Sequence, residues 1–432
     1  MQSFQTRYCA EHTSYHHGEA SLHATIIGMA QDFIGANNIN LLEPVGQFGT
    51  RLNGGKDAAS PRYIFTKLNP ITRKLFPEID DKLLKQKFDD GQAIEPEYFC
   101  PIIPLLLVNG SQGIGTGWST SIPPHNPYDV TQYIKAKLIG EDTLPDIQPW
   151  VKGFDGEIIQ RNEESGYQSI GCIKKLSRTS LNIYELPIFR WTNDYKEFLL
   201  RMRDAAEIQS FVENHTTDSV SFTITLKSVR LERMVKSGLH RIFRLETSLP
   251  TTNMHAFDSD GVIKKFHTPQ DLVEEFFPIR LALYIDRKSS LERSMKHKVL
   301  LLKNKCRFLN DVSDGKIDIV SKRRSKEEAE TILGRLHFDK KSALDAILEK
   351  EIFDDGAIYP EEEKNEENVF RSSNEYDYLL NLPLSSFTKE KVQTLNLESK
   401  QIENQLEKLQ NTTPEQLWLA DLKELEPYLK KI

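Results

Sequence analysis

Tyr15-His16-His17-Gly18-Glu19 opens a stretch that runs through a helical segment into Gly46-Gln47-Phe48-Gly49-Thr50-Arg51, Gly54-Gly55-Lys56-Asp57 and Pro61-Arg62-Tyr63-Ile64-Phe65-Thr66. Histidines, cations and Tyr63 stand there among turn-forming glycines. A phenol ionises near pH 10, so a tyrosine attacks poorly at neutral pH unless its anion is stabilised. Arg62, directly before Tyr63, suits that role and can hold a phosphate through its planar fork. Arg51 and Lys56 would anchor neighbouring phosphates, and a histidine at the end of a turn could donate to a developing oxyanion. These residue types fit attack by Tyr63 on a phosphodiester. A lone Arg-Tyr pair is more often a surface ion beside a half-buried ring, and spacing alone does not decide between the two readings.

The four blocks together closely resemble eukaryotic topoisomerase II, a type IIA DNA topoisomerase, over a long and nearly ungapped match. The resemblance implies that Tyr63 is the cleaving nucleophile, Arg62 the transition-state stabiliser and His17 the partner for the oxyanion. It also implies a winged-helix domain, a helix-turn-helix variant that sets one helix against the DNA groove, with Tyr63 on the wing. Tyr15 matches a family position that touches DNA; read by itself it is a helix-cap aromatic. His16, Arg51 and Lys56 are the other DNA contacts expected in this stretch.

Composition bounds the remaining classes. The chain has 432 residues, of which 38% are hydrophobic and 28% charged, enough for two or three domains with real cores. No apolar run approaches the ~20 residues of a membrane helix, and the first residues lack an apolar signal core. Cys9, Cys100, Cys172 and Cys306 are scattered without metal or disulfide spacing, which fits a reducing compartment. The formal charge of −7 argues weakly against nucleic acid, but acid gathers near Glu361–Glu367, far along the chain from Tyr63. A local basic channel can coexist with an acidic total.

Taken in order, Ser21 to Phe33 places Leu22, Ile26, Met29, Ala30 and Phe33 at helical spacing. The apolar run Pro101 to Val108 predicts a buried strand. The loop that follows, Asn109 to Thr120, surrounds Ile114 with glycines, which pack nothing and let a backbone approach something closely. An apolar side chain on such a loop can wedge between base steps; a tight loop around a core residue is the plainer reading. The resembling family intercalates an isoleucine here, so Ile114 takes that role by resemblance, although Gln112 stands where the family commonly has glutamate.

Tyr167 to Leu176, Leu181 to Leu186 and Val220 to Leu226 alternate as strands do. They correspond to the family's tower domain, which flanks the DNA. Trp191 falls in a matching block as a candidate DNA contact, but the usual arginine two places before it is Phe189 here, with Arg190 shifted by one. Gly238 to Leu249 matches a further DNA-contacting run, in which Arg244, Thr247, Ser248 and, beyond it, Asn253 suit phosphates. Each taken singly is as readily a solvated strand end. Thr268 and Pro269 open a long helix. Its near-heptad residues Leu272, Phe276, Ile279, Leu283, Leu291, Met295, Val299 and Leu302 face a second run through Val392, Leu395, Ile402, Leu406 and Leu409, as in an antiparallel coiled-coil arm. Asp354 to Ser373 is acidic and polar, and is expected to be mobile.

The expected fold is therefore α+β: a winged-helix domain over 1–140 with its first element truncated, a tower α/β domain over 141–267, and a long antiparallel coiled-coil arm with a dimerising C-gate knob over 268–432. The resemblance covers only the DNA-gate part of the family protein. No phosphate-cradling glycine loop and no acidic metal cluster stands out, so the chain is expected to bind no metal or nucleotide itself. Mg²⁺ and ATP would be required by the complete family enzyme through its other modules. Expected partners are double-stranded DNA and a second gate-bearing chain, either an identical copy or a full-length topoisomerase II, with no membrane. The expected location is the nucleus, on chromosomes, in separating sister chromatids. A non-catalytic chromosome-binding or scaffold protein is the alternative, and a fragment of a whole enzyme is a third possibility.

Overall fold

The computed structural model describes residues 8–162, 166–318, 325–348 and 375–432. The run Asp354 to Ser373 lies outside the described residues. The chain forms two compact units, one of residues 1–282 with 418–432 and the other of residues 283–417.

In the first unit, α1 (Glu19–Ala30) forms where the apolar spacing predicts a helix, but it stops at Ala30 rather than Phe33. Asn37 Nδ2 explains the stop, because it donates to Gly28 O at 2.7 Å and Gln31 O at 2.8 Å and so satisfies the last carbonyls. The strands β1 (Leu42–Val45) and β2 (Phe65–Leu68) pair antiparallel beside it. Ala30, Phe48 and Ile64 form their common core.

The expected strand over Pro101 to Val108 is instead a short helix, α2 (Leu105–Val108), behind a non-repetitive Pro101–Pro104 lead. Prolines at 101 and 104 cannot donate to a ladder, and a continuous apolar run does not distinguish a buried strand from a buried helical turn. The glycine-rich segment after it is a hairpin rather than an open loop. Its strands β3 (Ser111–Gly115) and β4 (Trp118–Ile122) turn on Thr116 and Gly117, the latter at φ 78°. Asn126 caps the next helix, α3 (Pro127–Ile139), by accepting from Tyr128 N at 2.8 Å.

The tower region consists of antiparallel sheets. β5 (Glu157–Asn162), β6 (Gly166–Ile170), β7 (Cys172–Lys175) and β8 (Ser180–Glu185) lead into α4 (Thr192–Asp204), β9 (Ser210–Glu213) and β10 (Phe222–Thr225). β9, β10, β8 and β7 lie side by side in that order. The inward-facing Leu181, Ile183, Phe222 and Ile224 pack on Tyr195 and Leu199 of α4. The helices α5 (Ser228–Ser237) and α6 (Leu239–Ile242) add Leu231, Leu239 and Ile242 to this core. β11 (Glu246–Leu249) joins β6 and β5 in a second sheet, and β12 (Met254–Phe257) pairs with β13 (Ile263–Phe266). Trp418, fully buried, donates from Nε1 to Ile102 O at 3.0 Å.

The helix α7 (Pro269–Ser313) starts as its residues predict. Thr268 Oγ1 accepts from Asp271 N at 3.1 Å, and Asp271 Oδ2 accepts from Thr268 N at 3.0 Å. In the second unit, its later part runs antiparallel to α8 (Lys389–Asn411). Met295, Val299 and Leu302 interlock with Leu395 and Ile402, and Lys288 Nζ donates to Gln410 O at 3.1 Å. Phe308, Ile317, Leu333, Phe338, Tyr376 and Leu379 form a separate small core at the end of this pair.

Candidate nucleic-acid interface

Tyr63 ends a single 3₁₀ turn, Pro61–Tyr63, immediately before β2. Pro61 fixes the entry and Tyr63 N closes the turn on Ser60 O at 2.9 Å. Period-two alternation then sends Ile64 inward, 1% exposed, and leaves Tyr63 outward, 66% exposed. Gly46, at φ 110°, makes room for Ile64, since a Cβ there would meet Ile64 Cγ2 at 2.9 Å. The guanidinium carbon of Arg62 lies 4.8 Å from the centre of the Tyr63 ring. An exposed phenol on a short rigid turn thus carries its own adjacent cation.

The loop from Gly46 to Asp57 is held from three sides. Gln31 Nε2 donates to Phe48 O at 2.9 Å and Gly55 O at 3.1 Å, and Thr50 N donates to Asp57 Oδ1 at 2.9 Å. The third tie is Arg51. Its guanidinium is buried against the Glu185 carboxylate and donates to Leu186 O at 3.2 Å. Arg51 is therefore a structural cation that fastens the loop to β8, and its burial leaves no fork for a phosphate. Lys56, on the same loop, is exposed.

Trp191 is also placed by packing. Its indole lies over Gly54, where a Cβ would come within 2.3 Å of Trp191 Cε2, and meets Phe33 edge-on at 5.9 Å. Asn193, two residues on, ties Asn53 with a 2.7 Å side-chain bond. Arg51 reaches out of the loop to Glu185 and Trp191 packs onto the loop at Gly54, partners that spacing in the sequence did not show.

Tyr15 and His17 contact one another edge-on at 5.5 Å, and His16 and His17 are exposed. Among the described residues, no hydrogen bond or ring contact joins His17 to Tyr63.

Ile114 stands on β3 beside the hairpin turn and is 93% exposed. Burying it against something else would recover roughly 1.5–3 kcal/mol of hydrophobic free energy. The hairpin is braced at its base by β12: Ser121 N donates to Asn253 O at 2.8 Å, Thr120 Oγ1 to His255 O at 2.8 Å, and Asn253 Nδ2 to Ser119 Oγ at 2.9 Å. Trp118 meets His255 edge-on at 5.5 Å. Asn253 thus positions the hairpin that carries Ile114. Trp118, Ser119 and His255 share that task and were not singled out in the sequence; the tryptophan beside the glycine turn was the available signal.

Arg244 is exposed, at φ 51°, with its guanidinium carbon 4.9 Å from the Phe198 ring centre. Thr247 and Ser248 are neighbours on β11 and so face opposite ways. Ser248 is exposed, whereas Thr247 Oγ1 is buried without a hydrogen-bond partner. Only Ser248 of the two presents a hydroxyl to solvent. Among the described residues, no group of three or more His, Cys, Asp or Glu could hold a metal ion.

The DNA gyrase/topoisomerase IV A-subunit family matches residues 6–423. DNA topoisomerase 2 of Arabidopsis thaliana is 42% identical over 432 residues, covering 97% of this chain and 29% of that protein. DNA topoisomerase 2-beta of Homo sapiens is 38% identical, covering 98% of this chain and 26% of its own length. The crystal structure of the Plasmodium falciparum topoisomerase II DNA-binding, cleavage and re-ligation domain aligns with a TM-score of 0.87 at 40% identity, over 99% of this chain and 58% of that one. The chain thus spans less than a third of the length of these curated relatives. With a match that runs almost end to end, the chain belongs to the DNA gyrase/topoisomerase IV A-subunit family, where its likeness is to the breakage-reunion region of eukaryotic topoisomerase II.

Proposed function

We propose that this chain is a DNA gate: it binds and bends duplex DNA and carries the tyrosine for reversible strand cleavage. The observation that carries the reading is Tyr63, outward on a rigid turn with Arg62 against its ring. The Tyr63 oxygen attacks a backbone phosphorus, the phosphorus–oxygen bond to the 3′ oxygen breaks, and the 5′ phosphate stays on the tyrosine. The phenolic proton passes to solvent as the bond forms, the departing 3′ oxygen takes up a proton from solvent to become a hydroxyl, and attack by that hydroxyl on the tyrosyl phosphate reverses the step. Arg62 stabilises the charge on the phosphoryl oxygens, with His17 brought up on the bound duplex as a further donor. Lys56, Arg244 and Ser248 meet phosphates, Tyr15 and His16 touch the duplex nearby, and Ile114 inserts between base steps.

Two such gates would cut the two strands of one duplex, so the protein works as a dimer with a second copy or a full-length relative. The domains are taken as 1–140 for the gate, 141–267 for the tower and 268–432 for the arm with its C-gate knob. The complete enzyme's cycle would draw Mg²⁺ and ATP through other modules, and its setting would be the nucleus, in resolving linked sister chromatids.

The test is a covalent-adduct assay with end-labelled duplex and Mg²⁺. It is run with and without a full-length topoisomerase II that lacks its tyrosine but keeps its metal site. An adduct that disappears in Tyr63→Phe, with duplex binding kept, is the expected result. No adduct in either mixture while binding persists would reject the cleavage role and leave a DNA-binding scaffold.

A further inference from the structure

Ser60-Pro61, Thr268-Pro269 and Thr413-Pro414 are the chain's three Ser/Thr-Pro steps. Their hydroxyls differ in what they hold. Thr268 Oγ1 accepts from Asp271 N at 3.1 Å, and Thr413 Oγ1 accepts from Gln416 N at 3.3 Å, so both threonines cap helices. Ser60 is exposed, and its hydroxyl makes no cap bond. Its backbone is extended, at φ −56° and ψ 137°, as the residue before a proline prefers. Ser60 also opens the turn that carries Tyr63, since its carbonyl accepts from Tyr63 N at 2.9 Å. Such a bond holds the Cα atoms of residues 60 and 63 within about 7 Å of each other. Arg62 and Tyr63 are exposed beside it.

We propose that Ser60 is a phosphorylation site for a Ser/Thr kinase that requires proline at the next position, and that its phosphate shuts the gate to DNA. The proposal rests on the gate reading above and adds a control to the same turn. The kinase's nucleoside triphosphate supplies the phosphoryl group. The bond from Ser60 Oγ to the γ-phosphorus forms as the bond from that phosphorus to its β,γ-bridging oxygen breaks. The nucleoside diphosphate departs, and the hydroxyl proton passes to the kinase's base. Thr268 and Thr413 would have to leave their helix caps to react in this way. A phosphoserine carries about −1.5 to −2 charge at neutral pH and three acceptor oxygens. Two residues from Arg62, it can take the guanidinium fork that would otherwise meet the scissile phosphate. It also sets like charge against the DNA backbone at the point Tyr63 must reach.

The test treats the full chain and Ser60→Ala with such a kinase and ATP, maps phosphate by peptide mass, and then measures duplex affinity and adduct rate in the assay above. Ser60→Ala should melt like the parent, because no cap bond is lost. The parent should gain phosphate at Ser60 and bind duplex roughly tenfold weaker. It should form adduct about 10²–10³-fold more slowly, the size of losing one electrostatic stabiliser. Treated Ser60→Ala should keep its untreated affinity and rate, which separates Ser60 from the two threonines. A phosphatase should restore the parent, and added salt should narrow the affinity deficit, since exposed charges are screened. A parent left without phosphate at Ser60, or one phosphorylated there with unchanged affinity and adduct rate, would overturn this inference alone. An untreated parent that neither binds duplex nor forms adduct would strike the gate reading itself, with the Ser60 phosphate still read by mass.

Discussion

The Arg51 guanidinium and the Glu185 carboxylate meet in the interior, 3% and 2% exposed, and join the glycine-rich loop to tower strand β8. Leu186 N adds a 2.6 Å bond to the same carboxylate. Removing one partner of a buried pair strands the other charge, which costs about 3–5 kcal/mol. Arg51→Ala should therefore lower stability by that order in a chemical melt. Lys56→Ala, on the exposed side of the same loop, should leave the melt within about 0.5 kcal/mol and lower the salt slope of DNA binding by about 1. An Arg51→Ala protein with the parent's melt and weaker DNA binding would return Arg51 to the phosphate role.

Arg62 is exposed and stacked on Tyr63, so its loss should spare the fold. Its effect should fall on charge that develops as the adduct forms. Arg62→Ala is expected to slow single-turnover adduct formation by about 10²–10³-fold, with a much smaller loss of duplex affinity. Arg62→Lys keeps the charge but loses the planar fork, and should fall between the two. Equal rates in all three proteins would remove Arg62 from the chemistry.

Ile114 exposes nearly its whole side chain at the end of a braced hairpin. A wedge acts by unstacking a base step, which changes DNA shape more than it adds contact area. Ile114→Ala should reduce bending, read by energy transfer between dyes at the duplex ends, more than it reduces affinity. Asn253→Ala should act the same way more weakly, because it loosens the hairpin base at Ser119 rather than the wedge. Parent-like bending in Ile114→Ala would reject the wedge.

Periodicity carried the tower strands, because β8 and β10 bury alternate residues, and apolar spacing placed α1 over a helix that buries Ile26 and Ala30. It failed over Pro101 to Val108, where an all-apolar run has no face to read and the prolines decided the outcome. Site residues divided along the same line. Tyr63 and Ile114 are outward because their own neighbours, Ile64 and the flanking glycines, make them so. Arg51, Trp191 and Thr247 point inward because of Glu185, Gly54 and the β11 alternation. For Arg51 the partner is distant in sequence, and a charge tells nothing of its partner until the chain is folded.

His125 lies fully buried after β4, with Nδ1 3.2 Å from Leu107 O and Nε2 without a partner. Nδ1 therefore donates, and the ring is held neutral; burial lowers its pKa to about 4 from 6.5. The unfolded chain binds the proton more readily, so this residue's contribution is complete above pH 6.5 and is lost as the pH falls toward 4. The loss amounts to about 3 kcal/mol. Carboxylates such as Glu426, whose pKa is lowered first by its bond from Lys135, add a slope of the same sign at lower pH, so the comparison must be made against a variant. His125→Gln, less stable than the parent at neutral pH, should show a shallower fall in stability from pH 6.5 to 4. Parallel curves for the two proteins would mean that His125 takes up its proton without leaving the core.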